Sequence, residues 1–293
     1  MQSIIRRAES GFPAAIDERP GDLRVFVIGC GNAFGSRLTT TSLLFVNGDC
    51  VCLVDCPYKL HNVLAEFSHE SGFVVSPKDI THVIVTHNHW DHVAGLEMFL
   101  RMRMLECDGR KPVIVTTAGI YDDLWNHTLS GSLKYFMDSS GEGSLLSDKD
   151  YIDWLEVRPG EERLLGDMIL QIRANVTHPG PTIGIRLRNE KCDVGYSGDG
   201  IYDPELTERL YLDGVLSGKE KDDLLGFLWD SRLIFHDVGP LSEGVHTRLS
   251  RLLALPGDVR ERIRLVNLAD DFQSDELRPA EQNHEYTSEA CLP

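Results

Sequence analysis

Between positions 83 and 92 the chain reads Val83-Ile84-Val85-Thr86-His87-Asn88-His89-Trp90-Asp91-His92. Three imidazoles and one carboxylate stand within six residues. Neutral imidazole nitrogens and carboxylate oxygens are the donors that Zn²⁺ and similar divalent transition ions take. The apolar run before them reads as a buried strand feeding a loop. In such a loop His87 and His89 can point to one ion while Asp91 and His92 turn toward a second. A solvated polar turn is the bland alternative, and the position at a strand's end argues against it. Further donors must then come from other loops at the same edge. His178, in Asn175-Val176-Thr177-His178-Pro179-Gly180, follows one strand-like run, and Asp199, in Ser197-Gly198-Asp199-Gly200, follows another. Both stand close to glycine, where backbone can approach a metal closely.

The elements that must position these groups are short. Strand candidates rich in Val, Ile and Leu are Arg24–Ile28, Ser42–Val46, Val51–Val54, His82–Val85, Val113–Val115, Ile169–Arg173, Thr182–Leu187, Asp193–Tyr196, Leu233–Phe235 and Arg264–Leu268. Asn47-Gly48 between two of these runs is a hairpin signal. Helical spacing of apolar residues predicts helices within Leu60–Phe67, Val93–Leu105, Ala118–Leu129, Asp222–Leu228 and Thr247–Leu255. Strand runs with interspersed helices predict an α/β fold, a β-sandwich with helices packed outside, and no 20–50 residue repeat suggests a solenoid. Residues 1–21 read as an N-terminal arm and 273–293 as a polar, acidic tail. Residues 130–150, rich in Gly and Ser, read as a flap.

The chain resembles the metallo-β-lactamase superfamily over about residues 24–272. The likeness is carried by Val27-Ile28-Gly29-Cys30-Gly31-Asn32, Leu53-Val54-Asp55-Cys56, the His87–His92 segment, His178 and Ser197-Gly198-Asp199. It implies a four-layer αββα hydrolase domain over 22–272 with a two-metal site at one edge. One metal would take His87, His89 and His178, Asp199 would bridge, and Asp91 and His92 would join Asp199 at the second, with Asp91 also among the catalytic groups. Asp55 resembles the family's buried carboxylate behind the ligand loop, although a strand-end cap explains it equally on sequence alone.

Leu233-Ile234-Phe235-His236-Asp237-Val238, Gly244-Val245-His246-Thr247 and Leu252–Pro256 resemble the phosphodiesterase branch. That branch includes RNase Z and metal-dependent cyclic-nucleotide phosphodiesterases. The likeness implies that Asp237 and His246 deliver a proton to the leaving oxygen, with His236 structural. The branch usually ends with a metal-binding histidine on a late strand, where this chain has Asn267. An amide oxygen is the weaker ligand, so the second site is expected to bind weakly. The resemblance implies two divalent ions, Zn²⁺ first with Mn or Fe as alternatives, and a homodimer.

Composition narrows the use of such a site. The chain has 293 residues, 42% hydrophobic, with 29 Lys plus Arg against 46 Asp plus Glu, a net charge of −17. A chain this long buries roughly three quarters of its unfolded surface and folds without staples. The acidic balance disfavours broad nucleic-acid binding, which needs a basic face. No apolar stretch approaches the ~20 residues of a membrane span, and Met1–Ser10 lacks a signal-like apolar segment. Seven cysteines without framework spacing predict reduced thiols and a cytoplasmic protein.

Lesser signals resolve into ordinary structure. Gly29-Cys30-Gly31 fits neither nucleotide-loop spacing and reads as a tight turn. Cys50, Cys52 and Cys56 lack a second pair for a thiolate site. Trp90 could flank substrate or pack the loop. Tyr135 and Phe136 could stack on a base, with core packing favoured. The leading function is hydrolysis of a cyclic nucleotide or other small phosphodiester. An RNase Z-like endonuclease would need a basic arm, and only scattered arginines such as Arg101, Arg103, Arg186 and Arg188 are present. Thioester or β-lactam hydrolysis leaves Asp237 and His246 unexplained. A non-catalytic nucleotide sensor is the third reading, with Asn267 as its signature.

Overall fold

The computed structural model describes residues 23–107, 110–239 and 245–286, with the backbone of two short strands, Arg6–Glu9 and Phe12–Ala15. Two mixed seven-stranded sheets dominate. From edge to edge the first runs Asp153–Glu156, Val113–Thr116, His82–Ile84, Cys50–Val54, Ser42–Asn47, Arg24–Gly29 and His284–Tyr286. The second runs Glu162–Leu165, Met168–Asn175, Thr182–Arg188, Asp193–Tyr196, Leu233–Asp237, Ile263–Val266 and Arg278–Pro279.

Ser42–Asn47 and Cys50–Val54 are buried at every position, the mark of strands covered on both faces. Phe45, Leu53 and Ile84 of the first sheet share one apolar cluster with Ile185, Val194 and Phe235 of the second. Helices cover the outer faces. The helix Leu60–Ser71 buries Leu60, Val63, Leu64 and Phe67 at i, i+3, i+4 and i+7, and Phe67 meets Phe26 edge-on at 5.3 Å. On the other side the helix Gly218–Gly226 accepts a hydrogen bond at Leu224 O from Arg173 of the second sheet. These layers are the αββα sandwich.

Strand direction explains where the chemistry gathers. Cys50–Val54 and His82–Ile84 are parallel neighbours, as are Asp193–Tyr196, Leu233–Asp237 and Ile263–Val266. Met168–Asn175 reaches Asp193–Tyr196 through two antiparallel steps, so it runs the same way. Asp55, His87, Asp199, Asp237 and Asn267 therefore stand at carboxyl ends of parallel strands, and His178 leaves the same edge. The strand ends decide the site.

Several expectations change. Residues 273–293 are not simply a tail: Arg278–Pro279 and His284–Tyr286 complete the two sheets, so the domain extends beyond 272. The polar composition hid a strand only three residues long, held by a two-pronged Arg24–Glu285 pair at 2.5 and 2.6 Å and by buried Tyr286. Within the expected arm, Arg6–Glu9 pairs with Phe12–Ala15 and with Phe73–Val74; the rest of 1–21 lies outside the described residues. Positions 130–150 hold two short helices around a hairpin of Tyr135–Met137 and Gly143–Leu145. Tyr135 there is exposed and packs in no core. In the first hairpin Asn47 pairs with Cys50, which leaves Gly48 (φ +54°) and Asp49 as the two-residue turn. Cys192 is disulfide-bonded, against the expectation of thiols alone; Cys30, Cys50, Cys52, Cys56 and Cys107 are free.

Candidate metal centre

The His82–Ile84 strand ends in Val85-Thr86-His87, and a short helix, Trp90–Val93, then turns Asp91 and His92 inward. Asp55, at φ +58° just past its own strand, locks this loop from behind. Its carboxylate accepts from Thr86 N at 2.9 Å, from the Thr86 hydroxyl at 2.8 and 3.0 Å, and from His92 Nδ1 at 2.7 Å. A carboxylate only accepts, so His92 keeps a proton on Nδ1 and turns Nε2 to the site. Burial opposes charge on the ring, but Asp199 and Asp55 outweigh it and raise its pKa well above the ordinary value, so an ion bound at Nε2 would displace a proton. Asp55 is thus the buried support behind the ligand loop rather than a plain strand cap.

Two histidine-rich clusters result, and a third group, Asp199, Asp237 and His246, overlaps them at Asp199. His87, His89 and His178 bring ligand atoms within 4.8 Å of one another, and so do His87, His92 and Asp199. Asp199 Oδ2 lies 3.8 Å from His87 Nε2, 3.5 Å from His92 Nε2 and 3.8 Å from His178 Nε2, while Asp91 Oδ2 lies 3.4 Å from His92 Nε2. Most of these separations are too long for hydrogen bonds. They suit donors around a shared ion, because tetrahedral ligands at about 2.1 Å stand roughly 3.4 Å apart. His87 Nε2 is buried without a hydrogen-bond partner, and an unpaired buried nitrogen is costly unless something else fills its lone pair. The donor set fits divalent metal binding.

Electrostatics agree. Burial, then the neighbouring imidazoles, push His87 well below its ordinary pKa, so its imidazole is neutral, the form that can donate to a metal. Burial also opposes charge on Asp199, but the imidazoles, His92 foremost, outweigh it and hold the carboxyl at about 2.

The loop carrying Asp199 is fixed by contacts that sequence reasoning missed. Asn175 Nδ2 donates to Ser197 O at 2.9 Å and to Asp199 O at 3.1 Å. Gly198 has φ +57°, and a Cβ there would sit 2.3 Å from Ile183 O. Thr247, fully buried, donates to Gly200 O at 2.9 Å. Nothing in the residue types alone marks such supports.

Asp237 and His246 meet beside the clusters. His246 Nδ1 is 3.1 Å from Asp237 Oδ2, and the other Asp237 oxygen takes hydroxyls of Ser197 at 3.3 Å and Thr247 at 3.4 Å. Burial opposes charge on His246, and its hydrogen bond to Asp237 more than compensates, raising its pKa. His236 packs flat on Trp229 with its ring centroid 5.6 Å away, outside the clusters. Asn267 adopts φ +62°, which ends its strand and turns its side chain into the site. Its Nδ2 lies 3.0 Å from His246 Nδ1 and 3.5 Å from Asp199 Oδ1. All the residues singled out as ligands or catalytic groups are thus brought to one edge.

A metal-fitting histidine–aspartate site at the strand-end edge of this sandwich defines a protein of the metallo-β-lactamase fold. Solved structures with the same fold include Bacillus subtilis YhfI (TM-score 0.62, 15% identity, 90% of this chain and 99% of that one). The short form of human tRNase Z (TM-score 0.61, 17% identity, 90% and 98%) and unliganded yeast PDE1 (TM-score 0.61, 11% identity, 91% and 99%) share it too.

The family model described as Anti-Pycsar protein Apyc1 matches residues 23–217, and the chain belongs to that family. It is 30% identical to Anti-Pycsar protein Apyc1 of Paenibacillus sp. (strain J14) over 259 residues, covering 86% of this chain and 91% of the relative. It is also 29% identical, over 247 residues, to the cAMP/cGMP-dependent 3′,5′-cAMP/cGMP phosphodiesterase B of Dictyostelium discoideum, covering 83% of this chain and 20% of that larger protein. Among the described residues no helix is long and apolar enough to cross a membrane.

Proposed function

We propose that the protein is a metal-dependent phosphodiesterase that hydrolyses 3′,5′-cyclic nucleotides. The observation that carries this reading is the His246–Asp237 dyad, paired at 3.1 Å and joined through Asp199 to the two histidine-rich donor clusters. Its relatives support the substrate class, since the Dictyostelium protein is named for cAMP and cGMP. His87, His89 and His178 would hold one ion, Asp199 would serve both, and Asp91, His92 and Asn267 would serve the second, with Zn²⁺ the first candidate at both. Divalent ions bound there supply Lewis acidity and neutralise charge on a phosphodiester.

The remaining work falls to the chain's own groups. Asp55 orients His92. An alkoxide leaves poorly, so the ribose oxygen must be protonated as its bond to phosphorus breaks. His246 holds that proton. Asp237 engages its Nδ1, which leaves Nε2 as the nitrogen that faces the leaving oxygen. Asp237 stays ionised, since His236 and His246 overcome its burial and keep its carboxyl at about 2.

The test is turnover by the purified protein loaded with Zn²⁺ or Mn²⁺. Cyclic AMP, cyclic GMP and bis-p-nitrophenyl phosphate are the substrates, and nucleoside monophosphate is the expected nucleotide product. Absence of hydrolysis on all three overturns the reading. Strong, salt-sensitive binding of a tRNA precursor in place of that turnover would point to RNA processing instead.

A further inference from the structure

Directly beside His246 the surface opens into a cavity of about 260 Å³ that no step above uses. One wall is the segment after Asp199, Ile201-Tyr202-Asp203, continuing into the helix Pro204–Leu212. The other is His246 with Arg248 and Arg251. We propose that this cavity receives the nucleoside half of the substrate, with Arg209 reading the acceptor edge of the base. The inference rests on the phosphodiesterase reading and extends it.

Three observations support it. The first is position. His246 protonates the oxygen that remains on the ribose, so the sugar and base must continue past His246, on the leaving-group side. His246 itself lines the cavity. The second is the balance of charge. Asp203, Glu205 and Arg209 line one wall and Arg248 and Arg251 the other, with Arg251 pairing both carboxylates at the cavity's edge. A bare anion would meet those two carboxylates, whereas ribose hydroxyls and a heteroaromatic base carry both donors and acceptors and can use both signs. Ile201 and Leu206 add apolar surface for the flat face of a base. The volume lies just under the roughly 300–1,000 Å³ of drug-sized pockets, enough for one nucleoside and too small for a folded RNA end.

The third observation separates the arginines. Arg251 is committed to structure: its guanidinium contacts Asp203 Oδ2 at 3.1 Å and Glu205 Oε2 at 2.9 Å. That clamp ties the helix Leu249–Leu253 to the start of the helix Pro204–Leu212 and sets the cavity's width. Arg209 stands two turns along the latter helix from Asp203, exposed, on the cavity wall. Its planar fork of donors matches paired acceptors on a base edge. It is a specificity residue, remote from the phosphorus.

The test is Arg209→Met, which keeps much of the aliphatic stem and removes the donors. The holoenzyme variant is compared with the unmodified holoenzyme on cyclic GMP, cyclic AMP and bis-p-nitrophenyl phosphate, which has no base. We expect KM for at least one cyclic nucleotide to rise about tenfold, the scale of one hydrogen bond to a charged group, with kcat changed much less. The ratio of kcat/KM between that nucleotide and the nitrophenyl ester should fall accordingly. Calorimetric binding of the non-hydrolysed Rp-phosphorothioate analogue of the same nucleotide should weaken by a similar factor. Equal change on nucleotide and nitrophenyl ester, or no change on any substrate, overturns the pocket assignment while leaving the phosphodiesterase intact. If the unmodified holoenzyme hydrolyses none of the three, the underlying reading fails, and the inference with it.

Discussion

Asp55→Asn separates the fold from the metal site. Asp55 receives hydrogens from three buried donors, Thr86 N, the Thr86 hydroxyl and His92 Nδ1. Asp55→Ala would orphan all three at about 1–3 kcal/mol each, roughly 3–9 kcal/mol in total, so unfolding would obscure the chemistry. Asparagine keeps the volume. Its oxygen can still accept from Thr86, but its amide must donate toward His92 Nδ1. A nitrogen that accepts there carries no proton, so the imidazole proton moves to Nε2. That is the nitrogen 3.4 Å from Asp91 and 3.5 Å from Asp199, the one facing the site. The variant should therefore fold with a loss near 1 kcal/mol while the ion that depends on His92 binds about 10–100-fold more weakly. The assay is titration of chelator-stripped protein with Zn²⁺ against a chromophoric competitor, alongside urea unfolding of the same metal-free samples. The expected result is two binding phases, of which only one weakens markedly. Both phases unchanged would refute the claim that Asp55 fixes the His92 tautomer.

His246→Ala should retain its metal but slow cyclic-nucleotide hydrolysis by roughly 10²–10⁴, with a smaller loss on a nitrophenyl ester whose leaving group needs little protonation; equal losses would make His246 structural. Asn267→His should raise occupancy of the second ion, measured as metal per chain after dialysis, because imidazole is the better donor. Two tightly held ions in the unmodified protein, with no gain from the substitution, would show that position 267 is not a ligand position. Gly198→Ala should lower the melting temperature by an amount equivalent to about 2 kcal/mol or more, since its Cβ would stand 2.3 Å from Ile183 O at φ +57°. An unchanged melting curve would mean that the loop before Asp199 relaxes freely.

The site was more legible in the sequence than the frame around it, for a physical reason. His87 to His92 are contiguous, and an imidazole–carboxylate cluster at a strand's end has few purposes, so residue type and spacing suffice. His178 and Asp199 each follow a recognisable apolar run, and the direction of that run fixes the edge on which they emerge. Supports are different. Asn175, Thr182 and Thr247 act through backbone carbonyls or imidazole nitrogens brought near only by folding, and a neutral polar residue in a loop carries no mark of its partner. The strand His284–Tyr286 was obscured for a related reason. Its three residues are too few to show alternation, and its charge pair, Glu285 with Arg24, spans 261 positions.

Asn267 shows how local backbone and distant chemistry combine. Asparagine tolerates the left-handed region better than most residues, and at φ +62° it ends its strand just where the side chain can reach Asp199 and His246. Its backbone N–H is taken up by the Thr41 hydroxyl at 3.0 Å, so the residue just before the first sheet's strand Ser42–Asn47 helps hold the residue just after the second sheet's strand Ile263–Val266 in place. A histidine placed there must accept the same left-handed backbone, a cost asparagine largely avoids. If position 267 is a ligand position, it is a compromise between strand termination, for which asparagine is suited, and metal ligation, for which histidine is. That tension explains why the gain expected from Asn267→His is in occupancy of the second ion and not in stability of the fold.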